Sequence, residues 1–150
     1  MNELPASGGA DPGLKNNPRD GLIETLARET AQPVAPSVAA AVAHLCRRFP
    51  QAGAILFYGA CLRAANEPPD GLMDFYVLAE GYEDLHASGL ARAANRALPP
   101  NVYYGEAAFG AAMLRWKVAT VTFEQFAAGM RPEAPSAQFW VRFCQSVRLV

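Results

Sequence analysis

The residue in this sequence best placed to do chemistry is Asp74, set inside the apolar run Leu72-Met73-Asp74-Phe75-Tyr76-Val77-Leu78. A run of that character reads as a strand covered on both faces. Burying an unpaired carboxylate in such a strand costs more free energy than strand propensity returns. Asp74 therefore meets a cation, with Arg63 or Arg115 as candidates, or it faces a cleft. In a cleft it suits Mg2+, a hard cation that takes carboxylate oxygens and commonly completes its shell with substrate phosphates. The segment Phe57-Tyr58-Gly59-Ala60-Cys61-Leu62-Arg63 offers those phosphates a place. A strand ending in Gly59 and the small residues Ala60 and Cys61 lets backbone N–H groups approach an anion, and Arg63 adds charge. By itself a glycine after a strand is only a turn. Its weight here comes from Asp74 on the adjacent expected strand.

Other reactive residue types are sparse. Cys46, Cys61 and Cys144 are widely spaced and lack the paired spacing of zinc or thiol-redox motifs, which points to a reducing compartment. Cys61 is expected to be a small packing residue, because no triad pattern accompanies it. His44 and His86 lie far apart without clustered thiols, so a His/Cys metal site is not expected. The chain has 13 Lys+Arg against 14 Asp+Glu, a formal net charge of −1. That balance excludes a general nucleic-acid coat, which needs a broad cationic excess. With 150 residues, 51% of them hydrophobic, the chain reads as one domain. A domain of this size buries roughly 70% of the surface its unfolded form exposes, enough to need no disulfide or structural metal.

The elements that must position these residues follow from periodicity and breakers. Residues 1–19 are rich in Gly, Pro, Asn and Asp, lack the apolar core of a secretory signal, and read as a flexible leader to a domain over residues 20–150. Asp20 caps an expected helix running to Ala31, ended by Pro33 and Pro36. Ser37 opens a second, with Val38, Ala41, Val42 and Leu45 at helical spacing, Arg47 and Arg48 near its end, and Pro50 closing it. Ala54 to Tyr58 and Leu72 to Ala79 read as paired strands around the turn-rich Asn66–Gly71 segment. Glu83 to Leu98 reads as one amphipathic helix with Leu85, Leu90 and Ala94 inward, stopped by Pro99 and Pro100. Asn101 to Phe109 and Met113 to Thr122 read as two strands around Gly110, followed by a short helix from Glu124 to Gly129 and a last segment capped by Ser136. This order implies an α+β fold, a mixed sheet with flanking helices. No apolar run is long enough to span a bilayer, so the protein is expected to be soluble and cytoplasmic, at most peripheral at the inner membrane surface.

A strand ending in Gly and a small residue, a loop of the length from Cys61 to Met73, and an acid on the next strand resemble the signature of polymerase-β-type nucleotidyltransferases. The likeness extends through Phe57-Tyr58-Gly59, Leu72-Met73-Asp74-Phe75, Asn101-Val102-Tyr103-Tyr104, Lys117 with Thr122, and Arg142 through Leu149. In that order and spacing they resemble the mitochondrial-type phosphatidate cytidylyltransferases and their bacterial relatives. The resemblance covers most of the chain from about Gly53 onward. It implies a nucleotidyltransferase-like fold and transfer of a cytidylyl group from CTP to phosphatidic acid with magnesium, giving CDP-diacylglycerol and pyrophosphate. It further implies that Gly59 lines the triphosphate loop, that Asp74 holds magnesium, and that Lys117, sharing a face with Arg115, meets a phosphate. Arg142 and Arg148 are further phosphate candidates, and Tyr103 and Tyr104 are candidates to stack on or bond the nucleotide.

The sequence departs from that pattern at three points. Ala60 stands where the superfamily places a serine, removing a hydrogen-bond donor worth about 1–3 kcal/mol. The second acid expected two residues after Asp74 is Tyr76. Two-metal chemistry needs several oxygen ligands, for which Asp70 and Glu106 are the remaining candidates. The family also carries a further helical region beyond the equivalent of Val147-Arg148-Leu149-Val150, so a truncated form is expected.

Three functions follow as expectations. The first is cytidylyl transfer to phosphatidic acid at a membrane, helped by Arg115, Lys117, Arg131, Arg142 and Arg148 against only Glu124 and Glu133 in that region. The second is nucleotidyl transfer from CTP or another NTP to a protein or small molecule. The third is a degenerate domain that binds nucleotide without turnover, consistent with Ala60 and Tyr76. Oligomeric state is not legible in the residues.

Overall fold

The computed structural model describes residues 18–63 and 70–150. The expected leader falls outside them up to residue 17, as do residues 64–69 of the loop between the first two strands. In chain order the elements are α1 (Pro18–Thr30), α2 (Pro36–Arg48), β1 (Ala54–Tyr58), a 3-10 turn (Ala60–Arg63), β2 (Leu72–Ala79), α3 (Tyr82–Leu85), α4 (Gly89–Ala97), β3 (Asn101–Phe109), β4 (Ala112–Thr122), α5 (Phe123–Gly129), α6 (Gln138–Phe143) and β5 (Val147–Leu149). The fold is α+β, with a five-stranded mixed sheet in the order β3-β4-β2-β1-β5. Only β2 and β4 pair in parallel; the other neighbours are antiparallel. Among the described residues no helix is long and apolar enough to cross a membrane.

Strand alternation sends two sets of side chains to opposite faces. On one face Ile55, Phe57, Met73, Phe75, Val77, Trp116 and Val118 pack against Val38, Ala41 and Leu45 of α2, Phe49 just beyond it, and Leu85 of α3. On the other, Tyr58, Tyr76, Leu78, Ala119 and Val121 meet Phe126 of α5 and Phe139 and Phe143 of α6. Each such side chain, fully buried, contributes about 1.5–3 kcal/mol. The second face is only partly roofed. Toward the start of β2 and along the β3–β4 hairpin it is open, and Leu72, Tyr104, Met113, Arg115 and Lys117 are exposed.

The expected single helix over Glu83–Leu98 is two. His86, Ala87 and Ser88 interrupt it, because His86 turns inward to meet Tyr103 Oη through Nδ1 at 3.1 Å and Thr120 Oγ1 through Nε2 at 3.5 Å. The restart rotates α4 so that Asn95, fully buried, donates to the Thr120 carbonyl at 2.8 Å, while Leu90 is 81% exposed. A buried polar network thus overrides the helix propensity of an alanine-rich segment.

Candidate functional site

The register assembles the site from one cross-strand row. Tyr104 of β3 lies opposite Lys117 of β4, Lys117 opposite Asp74 of β2, Asp74 opposite Tyr58 of β1, and Tyr58 opposite Val147 of β5. One step inward the row is Val102, Ala119, Tyr76, Leu56 and Leu149; one step outward it is Glu106, Arg115 and Leu72. All project from the partly roofed face. The rings of Tyr58, Phe126, Phe139 and Phe143 enclose Tyr76 at centroid distances of 5.2 to 6.5 Å. Asp74, two residues earlier, stands where that aromatic roof ends, its side chain 21% exposed.

Asp74 both meets a cation and borders an open face, but the cation is neither of the arginines expected. Lys117 Nζ lies 3.1 Å from Asp74 Oδ1. Arg63 instead donates to Gln145 Oε1 at 3.0 Å, and Arg115 sits a row outward, level with Glu106. The ammonium contact is ionic without hydrogen-bond alignment, for Oδ1 is buried and has no hydrogen-bond donor among the described residues. With Lys117 half exposed, the pair is worth about 0.2–1 kcal/mol, little enough for a ligand to reorganise it.

Gly59 is fitted to this carboxylate. Its φ is +91°, a conformation L side chains rarely adopt, and a Cβ there would lie 2.9 Å from Asp74 Oδ2. The carboxylate therefore rests over bare backbone. Ala60 and Cys61 continue into the 3-10 turn, which Cys61 ties down through Sγ to the Leu72 carbonyl at 3.4 Å. Cys61 packs against the core on the α2 side of the sheet, and burial, with Asp74 nearby, pushes its thiol above the ordinary range, which makes it a poorer nucleophile.

The remaining candidates separate by face. Arg142 joins the site from α6, lining with Tyr58, Tyr76, Lys117, Ala119 and Val102 a cavity of about 160 Å³. Burial, reinforced by Asp74 and Tyr76, pushes the Tyr58 hydroxyl up to about 12, with the Arg142 guanidinium acting in the opposite sense. Tyr104 donates to Glu106 Oε2 at 3.2 Å, and its hydroxyl is held above the ordinary value by lost solvation and by that acid. Tyr103 and Arg148 do not belong to the site. Alternation sends Tyr103 to the opposite face, under the Arg48 guanidinium at 4.9 Å, and Arg148 donates to the Glu29 carbonyl and to Gln32 Oε1 beside α1. Both displacements follow from a one-residue offset in strands of period two.

Among the described residues a shell of protein carboxylates for two metals is not assembled. Glu106 is separated from Asp74 by β4, Asp70 lies exposed ahead of β2, and among the described residues no three His, Cys, Asp or Glu cluster to hold an ion. Two cavities of about 490 Å³ each lie among α3, α4, α5 and α6 and contain neither Asp74 nor Lys117. The residues that sequence reasoning passed over as site members are Tyr58 and Tyr76. Tyr76, at two residues from Asp74, was detectable by strand alternation alone. Among known proteins, no family model and no curated sequence matches the chain.

Proposed function

We propose that the open face around Asp74 binds a nucleoside triphosphate and transfers its nucleotidyl group to a phosphate-bearing acceptor, with CTP and phosphatidic acid as the substrates that the family resemblance favours. The observation that carries this reading is the Asp74–Lys117 pair set over the positive-φ Gly59. It gathers a carboxylate, a cation and an approachable backbone into one open patch. Asp74 would hold a single magnesium ion through the oxygen that the Lys117 ammonium now meets at 3.1 Å, in place of that ammonium, such an ion taking its other ligands from phosphates and water. When bound, the ion supplies charge neutralisation on the triphosphate.

The chain's own residues position and neutralise. Lys117 and Arg115 project from alternate positions of β4 onto the open face, where phosphate oxygens meet both. Gly59 admits the phosphate chain close to the strand end. An oxygen of the acceptor phosphate, already anionic and needing no general base, attacks the α-phosphorus. The new P–O bond forms as the bond from the α-phosphorus to the bridging oxygen breaks, and that electron pair leaves with pyrophosphate. Positioning and electrostatics supply the acceleration. Arg115, Lys117 and Arg142, with exposed Arg131 after α5, favour peripheral attachment to an anionic lipid surface.

A second reading, nucleotide binding without turnover, has an observation of its own: Lys117 already neutralises Asp74, and Tyr76 stands two residues on where a second acid would. One assay separates them. With α-labelled CTP, magnesium and phosphatidic acid vesicles, the first reading expects labelled CDP-diacylglycerol and pyrophosphate, reduced about 100-fold or more in Asp74→Asn. Undiminished transfer by that variant removes Asp74 from the mechanism. Preference for ATP over CTP moves the acceptor away from lipid, and magnesium-independent binding without pyrophosphate release establishes the second reading.

A further inference from the structure

The cavity inward of Asp74 has a chemistry separate from that of the carboxylate. Its volume of about 160 Å³ is a few water molecules' worth, and its wall carries two cations, Lys117 and Arg142, and two phenols, Tyr58 and Tyr76. The Tyr76 side chain is fully buried, yet its hydroxyl has no hydrogen-bond partner among the described residues. An orphaned buried hydroxyl costs about 1–3 kcal/mol. The surrounding rings clamp it in place, so the cost is built in and cannot be relieved by turning toward solvent. Arg142 lies on the six-residue α6 with an exposed side chain; its guanidinium is anchored by Nη1 donating to the Gln138 carbonyl at 2.9 Å and keeps further N–H donors for a ligand at the cavity mouth.

We propose that this cavity is the subsite for a terminal phosphomonoester, with the Tyr76 and Tyr58 hydroxyls and the Arg142 guanidinium donating to its oxygens. The match is one of donor count and charge. A phosphomonoester brings about −1.5 to −2 charge at pH 7 and three strong acceptor oxygens, whereas a carboxylate or a phosphodiester brings a single charge. Among the described residues Lys117 and Arg142 outnumber the one adjacent acid, Asp74, and both phenols are donors at neutral pH. Identifying the phosphomonoester as the acceptor headgroup rests on the nucleotidyl-transfer reading; its binding does not.

The test uses the full chain without nucleotide. Inorganic phosphate and glycerol phosphate are titrated calorimetrically, with acetate as the monocarboxylate control, and vesicles of phosphatidic acid are compared with vesicles of phosphatidylglycerol. Wild type is expected to bind both phosphates saturably and acetate not, and to prefer phosphatidic acid. Loss of one donor to a charged oxygen is expected to weaken phosphate about tenfold or more in Tyr76→Phe and in Arg142→Gln. Tyr76→Phe is at the same time expected to raise the urea midpoint, because it removes an unsatisfied buried hydroxyl. A merely structural tyrosine would do the reverse. Unchanged phosphate affinity in Tyr76→Phe, or a lowered urea midpoint, overturns the proposal. Phosphate binding that depends on Tyr76 without any nucleotidyl transfer would keep the subsite and remove the enzymatic reading. Transfer activity with phosphate binding indifferent to Tyr76 would do the opposite. Binding of soluble phosphate with no preference between vesicles assigns the subsite to a soluble acceptor.

Discussion

Replacing Gly59 by alanine tests whether Asp74 is held over bare backbone, and Gly110→Ala provides its control. Both glycines have positive φ, +91° and +60°, but a Cβ at Gly110 meets nothing within 4 Å while one at Gly59 meets Asp74 Oδ2 at 2.9 Å. Gly110 occupies the two-residue turn between β3 and β4, where only backbone strain is at stake, about 1–2 kcal/mol. Gly59→Ala carries strain of about 1–3 kcal/mol and also displaces the carboxylate from Lys117, a further 0.2–1 kcal/mol or so. For a domain of this size each kcal/mol lowers Tm by about 2–4 °C. Expected shifts are therefore about 2–8 °C for Gly110→Ala and about 2–16 °C for Gly59→Ala. The decisive readout is binding of a fluorescent NTP with magnesium under conditions where each variant is folded. Gly110→Ala is expected to bind as wild type, and Gly59→Ala to lose about tenfold or more. Adding Asp74→Ala to Gly59→Ala removes the close contact, so the double variant is expected to be more stable than the sum of the two single effects. Additive stabilities, or equal nucleotide affinities in the two glycine variants, refute the claim that the turn and the carboxylate are fitted to each other.

Two further outcomes concern the α3–α4 region. Burial holds the His86 pKa below its ordinary 6.5, with Arg48 and Arg92 acting in the same sense and the Asn95 side chain opposing. The unfolded chain then binds more protons than the folded one, so the stabilisation is fully present above pH 6.5 and is lost as pH falls from there through the folded value. Urea midpoints measured downward from pH 7.5 are expected to fall more steeply for wild type than for His86→Asn, and identical slopes would refute the buried-neutral assignment. Leu90→Lys, at a position the alanine-rich pattern places in the core, is expected to change stability by less than about 0.5 kcal/mol because the side chain lies in solvent. Loss of more than about 2 kcal/mol in urea denaturation would restore Leu90 to the interior.

What was legible in the sequence was local. The boundaries of β1, β2 and β3 follow directly from β-branched and aromatic runs bounded by Gly59, Gly71, Pro100 and Gly110, and the one isolated acid in β2 marked the site. What was not legible depended on contacts between distant segments. The parallel pairing of β2 with β4 crosses two helices and a strand, and it alone makes Lys117, not Arg63 or Arg115, the partner of Asp74. The break at His86 has the same character, because its reason is Thr120 and Tyr103 on other strands. The family resemblance offered both Tyr103 and Tyr104 as candidates; only the register tells them apart.

The site residues are not what positions the site. Met73, Phe75, Val77 and Ala79 of β2 are all essentially buried against the α2 side of the sheet, and Phe57 stands opposite Phe75 with ring centroids 5.1 Å apart. A slip of one residue would carry all four of these side chains to the other face, at a cost of several buried apolar groups. That penalty far exceeds anything the Asp74–Lys117 pair contributes, so the core dictates the register and the register delivers Asp74 to the margin of the aromatic roof. The polar groups at that margin are then free to be poorly satisfied. Among the described residues an off-axis ammonium, an acceptor without a hydrogen-bond donor and a phenol without a partner persist there because the packing on the opposite face does not depend on them. Substitutions at the exposed Lys117 or at Asp74 on that margin are expected to cost the fold little, whereas a large-to-small change at Phe75, or at the equally buried Tyr76, costs about 3–5 kcal/mol.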